Sequence, residues 1–449
     1  MNILLVALDT LRARQLGCHG YRYPTSPTLD AFAEANVRFE NFYAPAIPTQ
    51  PSYTTVYTGQ HSITHNIVTH GGDAALDRKR PWLPSIFTKA GYTTCAVDNL
   101  IQMKPWFYWG YEHYLNATLR QRYPQAVECT DINRLAVPWI RNHADEKFFL
   151  FVHYWDPHTP YLPPEKYRPL FYQGDPCDPA NNGRLHQFYE TSFHAAHWRD
   201  GFIGELAPEG REVTDVEYVR AMYDAEIRYL DDGIAELLGA LDGAGLADDT
   251  MVIFFADHGE EMYEHDVFFD HHGLYEGNIH CPLIVRWPGK ASSGHVVPHL
   301  VQHVDLAPTI LEAAGLEVPG EMEGTSLVPY LTGEKDEPIC DKLITEECTY
   351  QKKWGIVKDG VKLIVNRGDP DRDLHKMPPR ELYDLDADPA EMHDLAGERP
   401  ELVQDLEAEL DGWIGGMIAR HGLPGDPLVL QDITIGKRYS EWLLEHNYW

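Results

Sequence analysis

Three short apolar runs limit the fold of this chain more than any other feature. Ile3–Leu8 (ILLVAL), Phe148–His153 (FFLFVH) and Met251–Ala256 (MVIFFA) offer almost no polar residue to either face of an extended backbone. A strand with one wet face alternates apolar and polar side chains, so runs like these belong to strands covered on both sides. Thr94–Val97 and Leu283–Arg286 are shorter runs of the same kind. Between the runs the apolar residues change to helical spacing, most clearly at Val219, Met222, Tyr223, Ile227, Leu230, Ile234, Leu237, Leu238 and Leu241. Buried strands alternating with amphipathic helices predict an α/β fold with a large, mostly parallel central sheet flanked by helices.

In open α/β sheets ligands collect beyond the carboxyl ends of the strands. Asp9 follows the first run, Asp257 and His258 follow MVIFFA, and Asp156 and His158 follow FFLFVH in the stretch YWDPHTPY. Charge is costly to bury without a partner, so three such endings call for a common explanation. Asp9, Asp257 and His258 together suit a divalent metal ion that needs one further ligand. A single Asp at such a place could equally cap the next helix; the set of three favours the metal.

Thr49 is the candidate for that further ligand. It lies in APAIPTQPSYTT (44–55), ahead of Pro51, which favours the first turn of a helix. A helix through Tyr53–Tyr57 places Thr49 at or near its N-cap, where free N–H groups and a partial positive charge suit an anion. A hydroxyl beside a metal ion loses its proton more readily and becomes a nucleophile. From this stretch alone an ordinary capping threonine is the simpler reading, and Ser52 competes from a position three residues further along.

Length and charge bound the rest. The 449 residues suit one large domain with a smaller companion. A formal charge of 37 − 69 = −32 speaks against nucleic acid and anionic membrane as partners. No apolar run is long enough to span a membrane, and the first strand lacks the flank of a signal peptide. Seven scattered cysteines without CxxC spacing read as reduced thiols, which places the chain in the cytoplasm. The expected domains are a catalytic unit over 1–340 and a C-terminal α+β subdomain over 341–421. That subdomain holds a small antiparallel sheet, with a hairpin across Lys353–Asn366, and a helix near Pro400–Ile418. A tail over 422–449 is a candidate subunit contact, and a homo-oligomer is expected. Inserts over 100–125 and 160–215 should border the site, with the aromatic stretch KPWFYWGYEHY as a candidate lining for the leaving group. His19, His65, His70 and His303 are read as structural hydrogen-bonding residues.

Taken in order, NILLVALDTLRARQLGCHGY, PTQPSYTTVYTG, FVHYWDPHTPY, YDAEIRYLDDGIAELL, FFADHGE, HHGLYEGNIHCPLIVRWPG, VDLAPTILEAAGL and ELYDLDADPAE resemble the sulfatase family of the alkaline phosphatase superfamily over nearly the whole chain. The resemblance implies an alkaline-phosphatase-like sandwich. It implies one divalent metal ion held by Asp9, Asp257 and His258, with Thr49 completing the shell. It also implies that His158 and His272 meet the anionic group or the leaving oxygen of a small anionic ester. Mn²⁺, Ca²⁺ and Zn²⁺ all remain candidates beside an imidazole ligand. A second metal held by Asp156, His158 and His272 is the less expected arrangement.

The chain departs from the family at informative places. Thr49 stands where the family oxidises Cys or Ser to formylglycine, and Tyr53 stands where it has Arg. Asp98 and Asn99 replace its Gly-Lys-Trp-His stretch, and His272 replaces a Lys. Tyr53, Asn99, Lys104 and Asp156 are the substrate-side candidates. A covalent Thr ester cannot collapse by elimination as a formylglycine ester can, so water must attack the central atom, which phosphorus tolerates well. The leading expectation is therefore hydrolysis of a phosphodiester or phosphonate monoester through a covalent Thr49 intermediate. A sulfuric ester hydrolase using Thr49 directly is the first alternative, and a non-catalytic binding protein of the same fold is the second.

Overall fold

The computed structural model describes all residues except 119–126, 182, 193–194, 369–377 and 433–449. The central sheet is built from β1 (Asn2–Leu8), β2 (Val37–Tyr43), β4 (Thr93–Val97), β5 (His113–Leu115), β6 (Phe148–Tyr154), β7 (Thr250–Phe255), β8 (His280–Arg286) and β9 (Val296–Gln302). A short strand β3 (Ala46–Ile47) leaves this sheet for another. The eight strands run in the order β5-β4-β6-β1-β7-β8-β2-β9. The three apolar runs become its centre: β1 pairs in parallel with β6 on one side and β7 on the other, with Val6 opposite Val152 and Phe254. Every residue of these three strands is buried, as their continuous apolar character requires. Only β8 runs against its neighbours, β7 and β2.

Helices cover both faces. Among them are α1 (Thr49–Thr58), α2 (Cys129–Asn142) and α3 (Val216–Gly243). The helical spacing over 219–241 lies inside α3, whose start is fixed by Asp215 accepting a hydrogen bond from the Glu217 amide at 3.0 Å. α2 packs along α3, and Asn133 ties the two through the Gly233 carbonyl at 2.8 Å. In the insert over 100–125, Trp106 and Phe107 are buried, and Phe107 lies against Tyr57 and Trp82. Much of that aromatic density is therefore core and not a leaving-group wall, because large apolar rings gain most where water is excluded. β2 and β9 were not anticipated: half-wet strands such as VRFENFY and VVPHLVQ carry no continuous apolar run.

The C-terminal part is a five-stranded sheet of β10 (Lys342–Glu347), β11 (Lys353–Lys358), β12 (Val361–Asn366) and β13 (Arg380–Asp384), with the helix α4 (Pro400–His421) packed on it. The hairpin expected over Lys353–Asn366 is β11–β12, turning at Asp359–Gly360. Its fifth strand is β3, which pairs in parallel with β10 two residues before Thr49. The small sheet thus braces the segment that carries the candidate nucleophile. A buried cation locks the two parts together. Lys362 Nζ on β12 lies 2.7 Å from Glu276 and 2.7 Å from Glu391, and donates to the Leu274 carbonyl at 3.0 Å. Lys362→Met would leave two buried carboxylates without their cation and should destabilise the chain by about 3–5 kcal/mol, read from urea unfolding at pH 7.

Candidate active site

Asp9 and Asp257 emerge side by side because β1 and β7 are neighbours in register, with Ala7 opposite Phe255. Asp9, Asp257 and His258 are completely buried, and each offers a ligand atom within 4.8 Å of the others. Asp9 Oδ1 and Asp257 Oδ2 are buried and accept no hydrogen bond. Two adjacent carboxylates, each with one unsatisfied oxygen, and an imidazole fit a divalent cation. His258 Nδ1 lies 2.8 Å from the Gly259 carbonyl, a contact that puts its proton on Nδ1 and leaves Nε2 as a lone-pair donor. That Nε2 is 3.3 Å from Thr49 Oγ1. Thr49 is the first residue of α1 after the Pro48 cap, so its hydroxyl sits at a helix N-terminus, as the sequence predicted.

The backbone around these groups is tightly constrained. Thr10 adopts φ 54°, a left-handed conformation that a β-branched residue takes at a cost. Its amide donates to Asp257 Oδ1 at 3.3 Å, and its carbonyl accepts from the Tyr223 hydroxyl at 2.7 Å. Gly259 is required by close approach: a Cβ there would lie 2.0 Å from the Gly277 carbonyl oxygen. Ser52 faces into the structure, donating to the Asp257 carbonyl at 2.8 Å with His303 Nδ1 at 3.1 Å. It supports a ligand strand and leaves Thr49 as the hydroxyl next to His258.

One functional residue was missed in the sequence. His153, at the end of β6, bridges Asp9 Oδ2 at 2.9 Å and Asp98 Oδ1 at 2.8 Å. Burial pulls its pKa down, but the hydrogen bonds to Asp9 and Asp98 prevail and push it up to about 10. The signal was a histidine at the end of an otherwise apolar buried strand. Asp98 thus supports Asp9 through His153.

The other candidates divide. His158 has Nδ1 2.6 Å from the Thr159 carbonyl, and burial lowers its pKa to about 4. Its ring centroid is 5.7 Å from that of His271, which is 4.6 Å from that of His258. His271, and not His272, is therefore the histidine brought to this cluster. Glu260 Oε1 lies 3.3 Å and Asp270 Oδ1 3.8 Å from its Nδ1. Against burial, these two carboxylates raise its pKa to about 9. His272 is turned toward Tyr350, at 5.4 Å between rings. His70, read as merely structural, lies close enough to His271, His258 and Lys104 that they add to burial in lowering its pKa to about 3.

Asp156 does not orient His158. Its Oδ2 accepts from the Cys129 amide at 2.6 Å and caps the start of α2, so Asp156, His158 and His272 do not assemble a second metal site. Asn99 accepts from Trp155 Nε1 at 2.7 Å, and Lys104 bonds the Gly72 carbonyl beneath the Trp106 ring. Tyr53 is fully buried among Phe151, His153 and Phe255, behind the carboxylates and away from solvent.

Buried carboxylates ending two parallel strands, with a hydroxyl at a helix N-terminus, are an arrangement that a hydrolase acting on ester bonds can use with a divalent ion. The family model described as Sulfatase matches residues 1–316, and the chain belongs to that family. A second model, N-sulphoglucosamine sulphohydrolase C-terminal, matches residues 263–414. An N-acetylglucosamine-6-O-sulfatase of Bacteroides thetaiotaomicron is 25% identical over 90% of this chain and 85% of its own. A protein solved in complex with D-glucosamine-2-N,6-O-disulfate superposes with TM-score 0.75 at 22% identity, over 95% of this chain and 99% of that one. The phosphonate monoester hydrolase of Agrobacterium radiobacter superposes with TM-score 0.72 at 21% identity, over 94% and 96%.

Two outcomes follow from this geometry. Chelator-treated protein should gain about 2.7 kcal/mol of unfolding free energy when a divalent ion is added to a hundred times its dissociation constant, and Asp257→Asn should abolish the gain; thermal melts with Mn²⁺, Ca²⁺ and Zn²⁺ measure it. Beneath the site, buried Arg12 pairs with Glu264 at 3.0 Å. Although burial raises it, the Arg12 charge and hydrogen bond pull the Glu264 pKa well below the usual carboxylate range. The folded pKa is depressed, so this stabilisation is complete above the unfolded value near ~4.3 and fades as pH falls below it. Glu264→Gln should therefore cost roughly 2 kcal/mol at pH 7, and the difference from wild type should shrink progressively below pH ~4 in urea titrations.

Proposed function

We propose that this chain hydrolyses a sulfuric ester of a small anionic substrate, with Thr49 as its nucleophile. The observation that carries the reading is the Thr49 hydroxyl, 3.3 Å from His258 Nε2 at a helix N-terminus beside two unsatisfied carboxylates. The family and the N-acetylglucosamine-6-O-sulfatase relative weigh toward sulfur and away from the phosphoester favoured by sequence reasoning.

Asp9, Asp257, His258 and Thr49 would hold one divalent ion, which when bound supplies positive charge to the ester oxygens and acidity to the hydroxyl. Thr49, its hydroxyl proton lost to solvent, forms a bond from Oγ to the central atom as the bond to the leaving oxygen breaks. His271, protonated and held at Nδ1 by Glu260, takes the role of proton donor to that oxygen through Nε2, with His158 at its side. Water then attacks the central atom and gives its proton to the same histidine, and the bond to Thr49 Oγ breaks, returning Thr49 as its alkoxide. His153 keeps Asp9 oriented throughout through its hydrogen bond.

A second reading, a phosphodiester or phosphonate monoester substrate, is favoured by Thr49 itself, which cannot become formylglycine. A panel of aryl sulfate, aryl phosphodiester and aryl phosphonate separates the two. We expect the sulfate ester to give the highest kcat/KM, Thr49→Ser to stay within about tenfold, and Thr49→Ala to lose at least ~10³-fold. Quenched enzyme should carry a sulfo-group on the Thr49 peptide by mass spectrometry. A phospho- or phosphono-threonine formed faster, with higher turnover, replaces sulfur by phosphorus.

A further inference from the structure

Away from the carboxylates lies an open cleft of about 830 Å³ whose lining includes Arg78, Lys79, Arg80, Lys89, Tyr108 and Trp109. On a chain of net charge −32 this is an unusual concentration of positive charge, and the only acid among its lining residues is Glu321. Among the described residues none of the four cations lies within ion-pair distance of a carboxylate, although Arg78 and its neighbours follow Asp77. Arg78 rests on the Trp109 ring at 4.7 Å, and Arg80 reaches the Gln60 side-chain oxygen at 3.4 Å. Stacking on a ring fixes a guanidinium without using its N–H donors, so it waits for an oxyanion at little further entropic cost. Tyr108 is 48% exposed, a large apolar face left in water at the cleft.

The walls of the cleft continue two segments that are tied to the active site. One leaves from Gly71, whose amide donates to Gln50 beside Thr49 at 2.9 Å, and reaches Arg78–Trp82. The other leaves from Lys104, which bonds Gly72, and reaches Tyr108 and Trp109. Four cations spread over an open cleft, one of them stacked in place, suit a ligand with several separated oxyanions better than a single ion, and the exposed Tyr108 ring suits the apolar face of a sugar.

We propose that this cleft is a binding subsite for a saccharide carrying more than one sulfate ester. The ligand class rests on the sulfuric-ester reading above; the anion site itself does not.

The test uses the full-length, metal-loaded protein and a heparin octasaccharide as probe, with Arg78→Gln, Lys79→Gln and Lys89→Gln combined. A control combines Arg141→Gln, Lys290→Gln and Lys335→Gln, which remove as much charge from other exposed positions. At ~0.1 M salt the cleft variant should bind the probe at least tenfold more weakly, with a flatter salt dependence, while the control stays within about twofold. Melting temperatures and aryl-ester turnover should match wild type in both. Equal losses in the two variants, or none in the cleft variant, overturn the site. Tighter binding of a uridine dodecanucleotide than of the octasaccharide overturns the ligand class. Because binding is read without turnover, failure of the sulfuric-ester panel and failure of the cleft are separate results.

Discussion

Two carboxylates held side by side out of water set the terms for this structure. Asp9 and Asp257 leave adjacent parallel strands at the same level and are completely buried. Like charges so close in a poorly polarisable interior repel strongly, and each has lost its hydration. The surroundings supply compensation from several directions. His153 donates to Asp9 from one side, the Thr10 amide donates to Asp257 from another, and the first turn of α1 brings Thr49 and its helix terminus to His258. One oxygen on each carboxylate remains without a hydrogen bond, which is where a divalent cation belongs.

The strained backbone follows from the same requirement. Thr10 is held left-handed by hydrogen bonds at both its amide and its carbonyl, and Gly259 allows a neighbouring chain to pass too close for any side chain. Strain of this kind survives only where the surroundings over-determine it. Here they comprise the β1–β7 register, the Tyr223 hydroxyl from α3, and the Ser52–His303 contact behind Asp257. Even the C-terminal sheet takes part, because its edge strand β3 leads directly into α1.

What could be read from the sequence was whatever depends on local pattern. The central strands were legible because continuous apolar runs have few other uses, and Asp9, Asp257 and His258 because they end those runs. Thr49 was legible through the prolines around it. Residues that act across the chain were harder. His153 and Asp98 are 55 positions apart and meet only because β4 and β6 are neighbours. The choice between His271 and His272 depends on the path of an irregular loop, which no local pattern fixes. Asp156 looked like a ligand because it follows a strand, yet it lies where α2 begins and caps it. β2 and β9 escaped notice because a half-wet strand is distinguished by its partners more than by its composition.

The nucleophilic role proposed for Thr49 places a demand on the rest of the site. A threonine ester is released only when a second nucleophile reaches the central atom from the side opposite Oγ. Water approaching there must lose a proton to a group on that side, and the leaving oxygen departed from the same side one step earlier. One region must therefore give a proton and then take one back. His158 and His271 lie with ring centroids 5.7 Å apart, and each has its Nδ1 committed elsewhere, His158 to the Thr159 carbonyl and His271 to Glu260. That leaves each Nε2 as the atom open to such an exchange. His271 is held by two carboxylates and His158 by none, so the environment pushes their proton affinities apart. Paired groups with separated affinities are how a site assigns donor and acceptor roles at one pH. A threonine nucleophile and a histidine pair of separated proton affinities are thus two parts of one chemical arrangement.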